Sequence, residues 1–275
     1  MPSLSTPSPP PGRRGPGERR PPYHHPVEGI PEAAAQLREC RRILVFTGAG
    51  ISTESGIPDF RGPQGVWMTV DPDEFTLERY LRYPETRRRS WQMRMNSGAL
   101  DADPNPAHRA VVDLWRSGRM IGCVTQNIDG LHQRAGLPNE VVAELHGNAQ
   151  TTVCLECGDR QPTPAVLSRI EAGEDDPSCL LCGGIIKTAV VYFGEMLPAE
   201  PWDLAFELAE RADAVVSVGS TLSVVPACYI PRHVARRGHP FVILNMGLTD
   251  LDRLATARIS APAGLALPEL FAALL

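Results

Sequence analysis

The sequence predicts an α/β fold built on a parallel β-sheet. Short apolar runs with the length of buried strands, such as residues 43–46 and 120–125, alternate with helical patterns along most of the chain. Several of these runs end at glycine or at small polar residues, and two Cys-x-x-Cys pairs interrupt the alternation. Together these observations predict a Rossmann-like parallel sheet covered by helices, with a small zinc-binding domain and a helical insertion.

The composition is that of an ordinary globular protein of one or two domains. The 275 residues are 43% hydrophobic and carry a formal net charge of -5, which gives no support to binding of nucleic acid or a membrane surface. No run of about 18 apolar residues exists, so we expect no membrane-spanning segment. Lys187 is the only lysine, and the other 26 of these basic residues are arginines.

Residues 1–30 are predicted to form a disordered tail rich in proline and arginine. Ten of the 27 prolines lie within residues 1–31, and such a segment buries too little apolar surface to fold. It lacks the apolar run of a secretory signal. We therefore expect a cytoplasmic protein, and we expect it to be a monomer.

The first predicted strand, residues 43–46, runs directly into the glycine turn 48–50. Glycines let the backbone approach a ligand closely, and Ser52 or Thr53 is suited to cap a following helix whose free N–H groups attract a phosphate. A glycine turn between strand and helix is equally common in α/β proteins that bind no nucleotide. The segment 56–62 favours a ligand site, because it places Asp59 among glycines and proline in what we interpret as a mobile loop.

Two further predicted strands also end at polar side chains. Residues 120–125 lead into the sequence QNIDGLH, and residues 141–145 lead into His146. Ligands of open α/β sheets bind beyond the carboxyl ends of the strands, so these residues are site candidates. Polar loops and lone histidines are often only structural, but an imidazole at this place is suited to accept a proton.

Four cysteines predict a structural zinc site. Cys154 and Cys157 form one Cys-x-x-Cys pair, Cys179 and Cys182 form another, and 21 residues separate the pairs. Four thiolates with no open position are typical of a structural ion rather than a catalytic one. Two disulfides, or a redox-active pair, are the alternatives.

The α/β pattern returns after the second cysteine pair. Strands are predicted at residues 188–193, 214–218, 241–244 and 258–261, and helices at 198–212, 226–238 and 267–275. The predicted organisation is a tail at 1–30, a Rossmann domain in three parts at 31–66, 119–150 and 188–275, a helical insertion at 67–118 and a zinc module at 151–187.

With these motifs in view, the chain resembles the sirtuins, the NAD-dependent protein-lysine deacylase family. The resemblance covers residues 30–275 and rests on motifs in the family's order: GAGISTESGIPDFRG at 48–62, TQNIDGLH at 125–132, HG at 146–147, the two cysteine pairs, VVYFGE at 190–195, VGSTLSVVPA at 218–227 and ILN at 243–245. It implies a bacterial-type deacylase that binds NAD and one structural zinc ion.

The resemblance also implies roles for individual residues. His146 would be the general base, and Asn127 and Asp129 would share the catalytic pocket. NAD would contact Gly48, Ala49, Gly50, Thr53, Asp59, Phe60, Arg61, Gln126, Asn127, Ile128, Asp129, Gly219, Ser220, Thr221, Asn245 and Ala263. An acyl-lysine peptide would add as a strand against Val191, Phe193, Gly194, Glu195 and Val224.

The implied reaction releases nicotinamide, free lysine and O-acyl-ADP-ribose, with acetyl-lysine as the expected substrate. Trp91 and Arg94 align with a Tyr and an Arg that grip acidic acyl groups in some sirtuins, so a preference for acidic or long acyl chains stays open. Protein mono-ADP-ribosyl transfer is a second alternative. A non-catalytic binding module and a hydride-transferring oxidoreductase are further alternatives, and neither accounts for the intact polar motifs together with the cysteines.

Overall fold

A computed structural model describes residues 27–62 and 65–275. Its helices are α1 Ile30–Leu37, α2 Leu77–Arg82, α3 Pro84–Asn96, α4 Pro106–Arg116, α5 Leu131–Ala135, α6 Thr163–Glu171, α7 Ala199–Arg211, α8 Tyr229–Arg236 and α9 Ala263–Ala272. Its strands are β1 Ile43–Thr47, β2 Met120–Thr125, β3 Val142–Glu144, β4 Gly147–Cys154, β5 Arg160–Pro162, β6 Ile186–Val190, β7 Ala214–Val218, β8 Phe241–Leu244 and β9 Ala257–Ile259.

Six strands form one parallel sheet in the order β3-β2-β1-β7-β8-β9. Numbered along the chain within this sheet alone, that order is 3-2-1-4-5-6, the order of the Rossmann fold. The direction of winding reverses between β1 and β7. In sheets of this topology, ligands bind beyond the carboxyl ends of the strands at the point where the winding reverses.

Both faces of the large sheet are covered, which explains why its central strands are mostly apolar. In β1, Ile43 and Val45 pack into a core shared with α1, α4 and α9. Leu44 and Phe46 point to the opposite face and pack with α7 and α8. Every residue of β1 is buried, so the strand that leads into the glycine turn is the rigid centre of the molecule.

A smaller unit packs around the antiparallel sheet β5-β4-β6 and contains α2, α3 and α6. Trp91 of α3 is 1% exposed and packs with Val166 and Ile170 of α6. Tyr80 of α2 packs edge-on against Tyr192, with ring centroids 5.2 Å apart. The helical insertion and the cysteine-bearing segment therefore share one core.

Two predictions about element boundaries need correction. Residues 188–193 were predicted as a strand of the large sheet, but β6 pairs antiparallel with β4 in the small sheet. The small sheet also begins at Gly147, whereas the predicted zinc module begins at residue 151. Hydrophobic runs do not identify a strand's partner, because that choice depends on contacts distant in sequence.

The N-terminal prediction is partly outside the described residues. Residues 1–26 of the predicted tail are not described. Ile30, the last residue assigned to the tail, is 3% exposed and begins α1, with Pro31 at the first turn. Helix α1 therefore begins at the last residue of the predicted tail, with Pro31 in its first turn, where a proline is tolerated. None of the helices within 27–62 and 65–275 has the length and apolar character needed to cross a membrane.

Candidate functional site

The turns that follow β1 and β7 are packed directly on one another. Gly48 N donates to Val218 O at 3.0 Å, and Gly50 N donates to Gly219 O at 2.9 Å. A Cβ atom at Gly50 would lie 2.7 Å from the Cα of Gly219, and one at Gly219 would lie 2.3 Å from the backbone N of Ile51. Side chains are therefore excluded here, and backbone lines the crevice at the switch point of the sheet.

The prediction that a helix begins at Ser52 or Thr53 was wrong. Two single turns of 3-10 helix, Ala49–Ile51 and Thr53–Ser55, follow the glycines, and neither has a side-chain cap. Gly56 then adopts a left-handed conformation at φ 83, and Pro58 follows shortly after. The Ser52 hydroxyl is not free to cap because it donates to Asp129 Oδ2 at 2.7 Å.

That bond connects the glycine turn to the polar loop after β2. Asn127 Nδ2 donates to Ser52 Oγ at 3.1 Å and to Gly48 O at 3.2 Å. Asp129 Oδ1 accepts the backbone N–H of Leu131 at 3.0 Å. Asn127 and Asp129 are 8% and 6% exposed, so the amide and the carboxylate are held at the rim of the crevice by fixed partners. Ser52, considered from sequence only as a cap, is the residue that joins them.

His146 follows β3 and lies beside the same loop. Its Nδ1 is 3.0 Å from the carbonyl oxygen of Gln126. A carbonyl oxygen only accepts, so Nδ1 carries the proton and Nε2 keeps its lone pair. Burial lowers the pKa of His146 below its usual 6.5, against an opposing effect of the Gln126 hydrogen bond. The neutral imidazole with a free Nε2 is the form that accepts a proton.

Gln126 links His146 to the turn after β7. Its Nε2 donates to Ser220 Oγ at 2.8 Å, and Ser220 Oγ also accepts the backbone N–H of Leu222 at 3.1 Å. Thr221 Oγ1 lies 2.9 Å from Ser223 Oγ. Ser220 is 7% exposed, so the side chains of Gln126 and Ser220 form a fixed bridge across the crevice.

The remaining candidates for binding NAD outside the segment 56–62 are Asn245, Ala263, Ile128 and Thr53. Asn245 follows β8, with its backbone N–H bonded to Ile259 O at 3.0 Å. Ala263 is buried at the start of α9, where the next residue, Gly264, donates its N–H to Glu54 Oε2. Ile128 is half-buried and packs against the core of the small unit. Thr53 is exposed and donates its hydroxyl to Gly50 O at 3.1 Å.

The segment 56–62 extends from the glycine turn toward the small unit. Asp59 Oδ1 accepts the N–H of Gly62 at 2.8 Å, and Arg61 is exposed. The ring of Phe60 lies 5.1 Å from that of Trp67, which lies 6.0 Å from Phe193. An aromatic row therefore joins the segment to residues 191–195.

Residues 191–195 are attached to both His146 and the small unit. The N–H of Val191 donates to His146 O at 2.9 Å, and the N–H of Phe193 donates to Phe75 O at 2.9 Å. Gly194 has a φ of 89 and is exposed, while Glu195 is half-buried. Val224, the other predicted substrate contact, is half-buried in the loop that follows β7.

Two buried histidines beneath the polar loop were not identified from sequence as a pair. His132 Nε2 lies 2.9 Å from Thr47 Oγ1, which bonds Thr125 Oγ1 at 2.8 Å, and Thr125 Oγ1 accepts the N–H of Asn127 at 3.0 Å. The rings of His132 and His108 are 5.1 Å apart. The position of His132, three residues after Asp129, could have marked it as part of the site. No sequence pattern connects His132 with His108.

The four cysteines form a cluster suited to zinc. All four Sγ atoms lie within 4.8 Å of one another, at 3.5 Å for Cys154 and Cys182 and at 3.7 Å for Cys157 and Cys179. A Zn–S bond of about 2.3 Å places tetrahedral thiolates about 3.8 Å apart, so the set fits the ion. The backbone N–H of Cys157 lowers the pKa of Cys154 to about 7, whereas neighbouring thiols raise the pKa of Cys157 and of Cys182. All four are free cysteines.

Comparisons with known proteins agree with this arrangement. The model of the Sir2 family matches residues 48–226. An NAD-dependent protein deacetylase 2 of Streptomyces coelicolor is 49% identical over 231 residues, which are 83% of this chain and 95% of that protein.

Solved structures of Sir2 enzymes show the same fold. One, from work on the mechanism and regulation of Sir2 enzymes, matches with a TM-score of 0.82 at 38% identity, over 90% of this chain and 97% of its own. A Sir2 variant with a deacetylated p53 peptide and 3'-O-acetyl ADP ribose matches with a TM-score of 0.81 at 35% identity, over 89% and 96% of the two chains. From the extent of these matches, this chain belongs to the Sir2 family.

Proposed function

We propose that this chain is an NAD-dependent protein-lysine deacylase that uses His146 as its general base. The observation that carries the proposal is the hydrogen bond from His146 Nδ1 to Gln126 O, which leaves Nε2 as a proton acceptor beside the polar loop. The curated relative and the product-bound Sir2 structure support the same chemistry. Acyl-lysine proteins are its substrates.

NAD would bind at the carboxyl ends of β1 and β7, where the winding of the sheet reverses. Backbone atoms of the glycine turns would approach the pyrophosphate, and Asn245 would hold the adenosine ribose. Asn127 and Asp129 would hold the nicotinamide carboxamide, since an amide and a carboxylate match its donors and acceptors. When bound, NAD supplies a ribose carbon that takes up the acyl oxygen as nicotinamide leaves.

The residues of the chain then supply positioning and proton transfer. His146 accepts a hydroxyl proton at Nε2, and the Gln126 carbonyl stabilises the protonated ring through Nδ1. Phe60 would exclude water from the reacting atoms once the segment 56–62 closes over the cofactor. The peptide backbone adds as a strand between residues 191–195 and 223–225.

The zinc ion has a structural role in this proposal. Cys154, Cys157, Cys179 and Cys182 would fill all four positions, which leaves no place for a reacting water. The cluster closes the small sheet at the far end of β4 from Gly147. The ion therefore supports the surface that binds the peptide and takes no part in the chemistry.

The acyl group that we propose is acetyl or a similarly small, uncharged group. Trp91, aligned from sequence with a residue that grips acidic acyl chains, packs in the core of the small unit and is 1% exposed. A side chain buried there does not line a substrate pocket. We also propose a cytoplasmic location and a monomeric state.

Mass spectrometry of a peptide series tests the proposal. Peptides that carry acetyl, propionyl, succinyl or long-chain acyl lysine are incubated with the zinc-loaded protein, with and without NAD. NAD-dependent loss of the acetyl group with formation of O-acetyl-ADP-ribose is expected. Consumption of NAD with a gain in mass of a protein, and no deacylation, would instead show ADP-ribosyl transfer and overturn the proposal.

A further inference from the structure

The single lysine of the chain is buried. Lys187 lies on β6 and is 3% exposed. The other 26 of the 27 lysine and arginine residues are arginines. A buried ammonium loses its hydration and persists only with close polar partners. The partners of Lys187 lie in the residues that follow β6.

The ammonium of Lys187 closes a turn of the backbone around itself. Its Nζ donates to Val190 O at 2.6 Å and to Glu195 Oε2 at 3.0 Å, and it lies 4.9 Å from the ring centroid of Tyr192. The same oxygen of Glu195 accepts the backbone N–H of Tyr192 at 2.5 Å. One cation and one carboxylate thus fix both ends of residues 190–195, a segment that we call the clamp turn.

The clamp turn has an inner and an outer side. Tyr192 is 4% exposed, packs against Tyr80 and lies 2.9 Å from Ser90 Oγ through its hydroxyl. Phe193 is 51% exposed, and the Val191 N–H donates to His146 O. The outer residues are those expected to meet the substrate, so the lysine beneath sets their position relative to His146.

We propose that Lys187 is a positioning residue that holds the clamp turn in the conformation that receives the acyl-lysine peptide. This inference rests on the proposed deacylase function. A lysine suits the place because its ammonium is compact and directs three donors outward, whereas a guanidinium is planar and longer. Burial and the charge of Arg94 lower the pKa of Lys187, and the Glu195 carboxylate opposes this shift.

Steady-state kinetics of three variants test the proposal. Lys187→Met removes the charge at similar volume, and Lys187→Arg keeps the charge but not the shape. We expect both to raise the KM for an acetyl-lysine peptide about tenfold, with the KM for NAD unchanged. Asp176→Asn is the matched control, since it breaks the 2.6 Å ion pair with Arg87 in the same unit without touching the clamp turn. It should lower the Tm and leave the peptide KM unchanged.

A double variant separates positioning from stability. Lys187→Met with Glu195→Met leaves no unpaired charge, so the fold should recover thermal stability. The peptide KM should stay high, because the turn has lost its fixed contacts. Recovery of both quantities would show a purely structural role and overturn the proposal.

Chemical labelling of the sole lysine gives a readout without catalysis. Sulfo-NHS-acetate should acetylate the α-amine of the native wild-type chain and spare Lys187, and Glu195→Gln should expose Lys187 to the reagent. Labelling of wild-type Lys187 as fast as the α-amine would overturn the proposal. If the wild-type protein is inactive but Lys187 is protected, only the deacylase function is contradicted. If the wild-type protein is active and Lys187→Met leaves the peptide KM unchanged, only the positioning role is contradicted.

Discussion

At the scale of single residues, function depends on where protons lie. The Gln126 carbonyl fixes the proton of His146 on Nδ1, and burial keeps the pKa of the ring below 6.5. An imidazole that is neutral at physiological pH is the form that the proposed general base requires.

His146→Tyr should remove the base without disturbing the core. We expect deacylation to fall on the order of 10²- to 10⁴-fold, since a phenol is a poor proton acceptor near neutral pH. The wild-type rate should decline only as the pH falls below 6.5 and the imidazole gains a proton. Turnover assays across pH, with Tm as the control, measure both effects. An active and stable His146→Tyr protein would exclude His146 as the base.

The buried pair His108 and His132 should make stability depend on pH. Burial lowers the pKa of His108 to about 4 and that of His132 to about 3, from 6.5 in the unfolded chain. The unfolded chain therefore takes up protons first, and stability present above pH 6.5 is lost as the pH falls. Between pH 6.5 and 4.5 each histidine should remove about 2–3 kcal/mol, measurable by urea unfolding. A His132→Gln variant with an unchanged pH slope would contradict this origin.

At the scale of elements, two turns and one metal cluster determine the site. The glycine turns after β1 and β7 touch through their backbones, so each turn limits the conformation of the other. The cysteine cluster limits the conformation of the small sheet, because one cysteine pair precedes α6 along the chain and the other follows it.

Gly219→Ala should disrupt the crevice. The new Cβ would lie 2.3 Å from Ile51 N, on a residue with a φ of 63. We expect a loss of about 1–3 kcal/mol in unfolding free energy together with weaker NAD binding, measured by urea unfolding and calorimetry. Gly238→Ala is the matched control, since Gly238 has a similar φ of 82 with open space around its Cβ. Equal effects of the two substitutions on stability and NAD binding would show that backbone strain, not contact, matters.

Removal of zinc should unfold the small sheet and leave the large sheet intact. A colorimetric chelator should detect one zinc ion per chain. Cys157→Ser should lower the zinc content, and it should lower the Tm by about 5 °C or more. Cys40→Ala, outside the cluster, should retain the ion. Full zinc content in Cys157→Ser would contradict the four-cysteine site.

At the scale of the whole molecule, the sequence predicts the fold class well and the interactions between distant elements poorly. Apolar runs and glycine turns predict the parallel sheet, because buried strands and tight turns leave local patterns. Three features could not be read from local patterns. They are the pairing of β6 with β4 in the small sheet, the hydrogen bond from Ser52 to Asp129, and the ion pair of Lys187 with Glu195. No local pattern decides between such partners, so only the folded chain reveals them.

The stoichiometry of the reaction tests the central claim most directly. Purified, zinc-loaded protein is mixed with an acetyl-lysine peptide and NAD, and released nicotinamide and deacetylated peptide are counted in the same sample. The account predicts one nicotinamide for each acetyl group removed by the wild-type protein, and a loss of about 10²-fold or more in the turnover of both products with His146→Tyr. Deacetylation without release of nicotinamide, or release of nicotinamide with no deacetylated peptide, would contradict it.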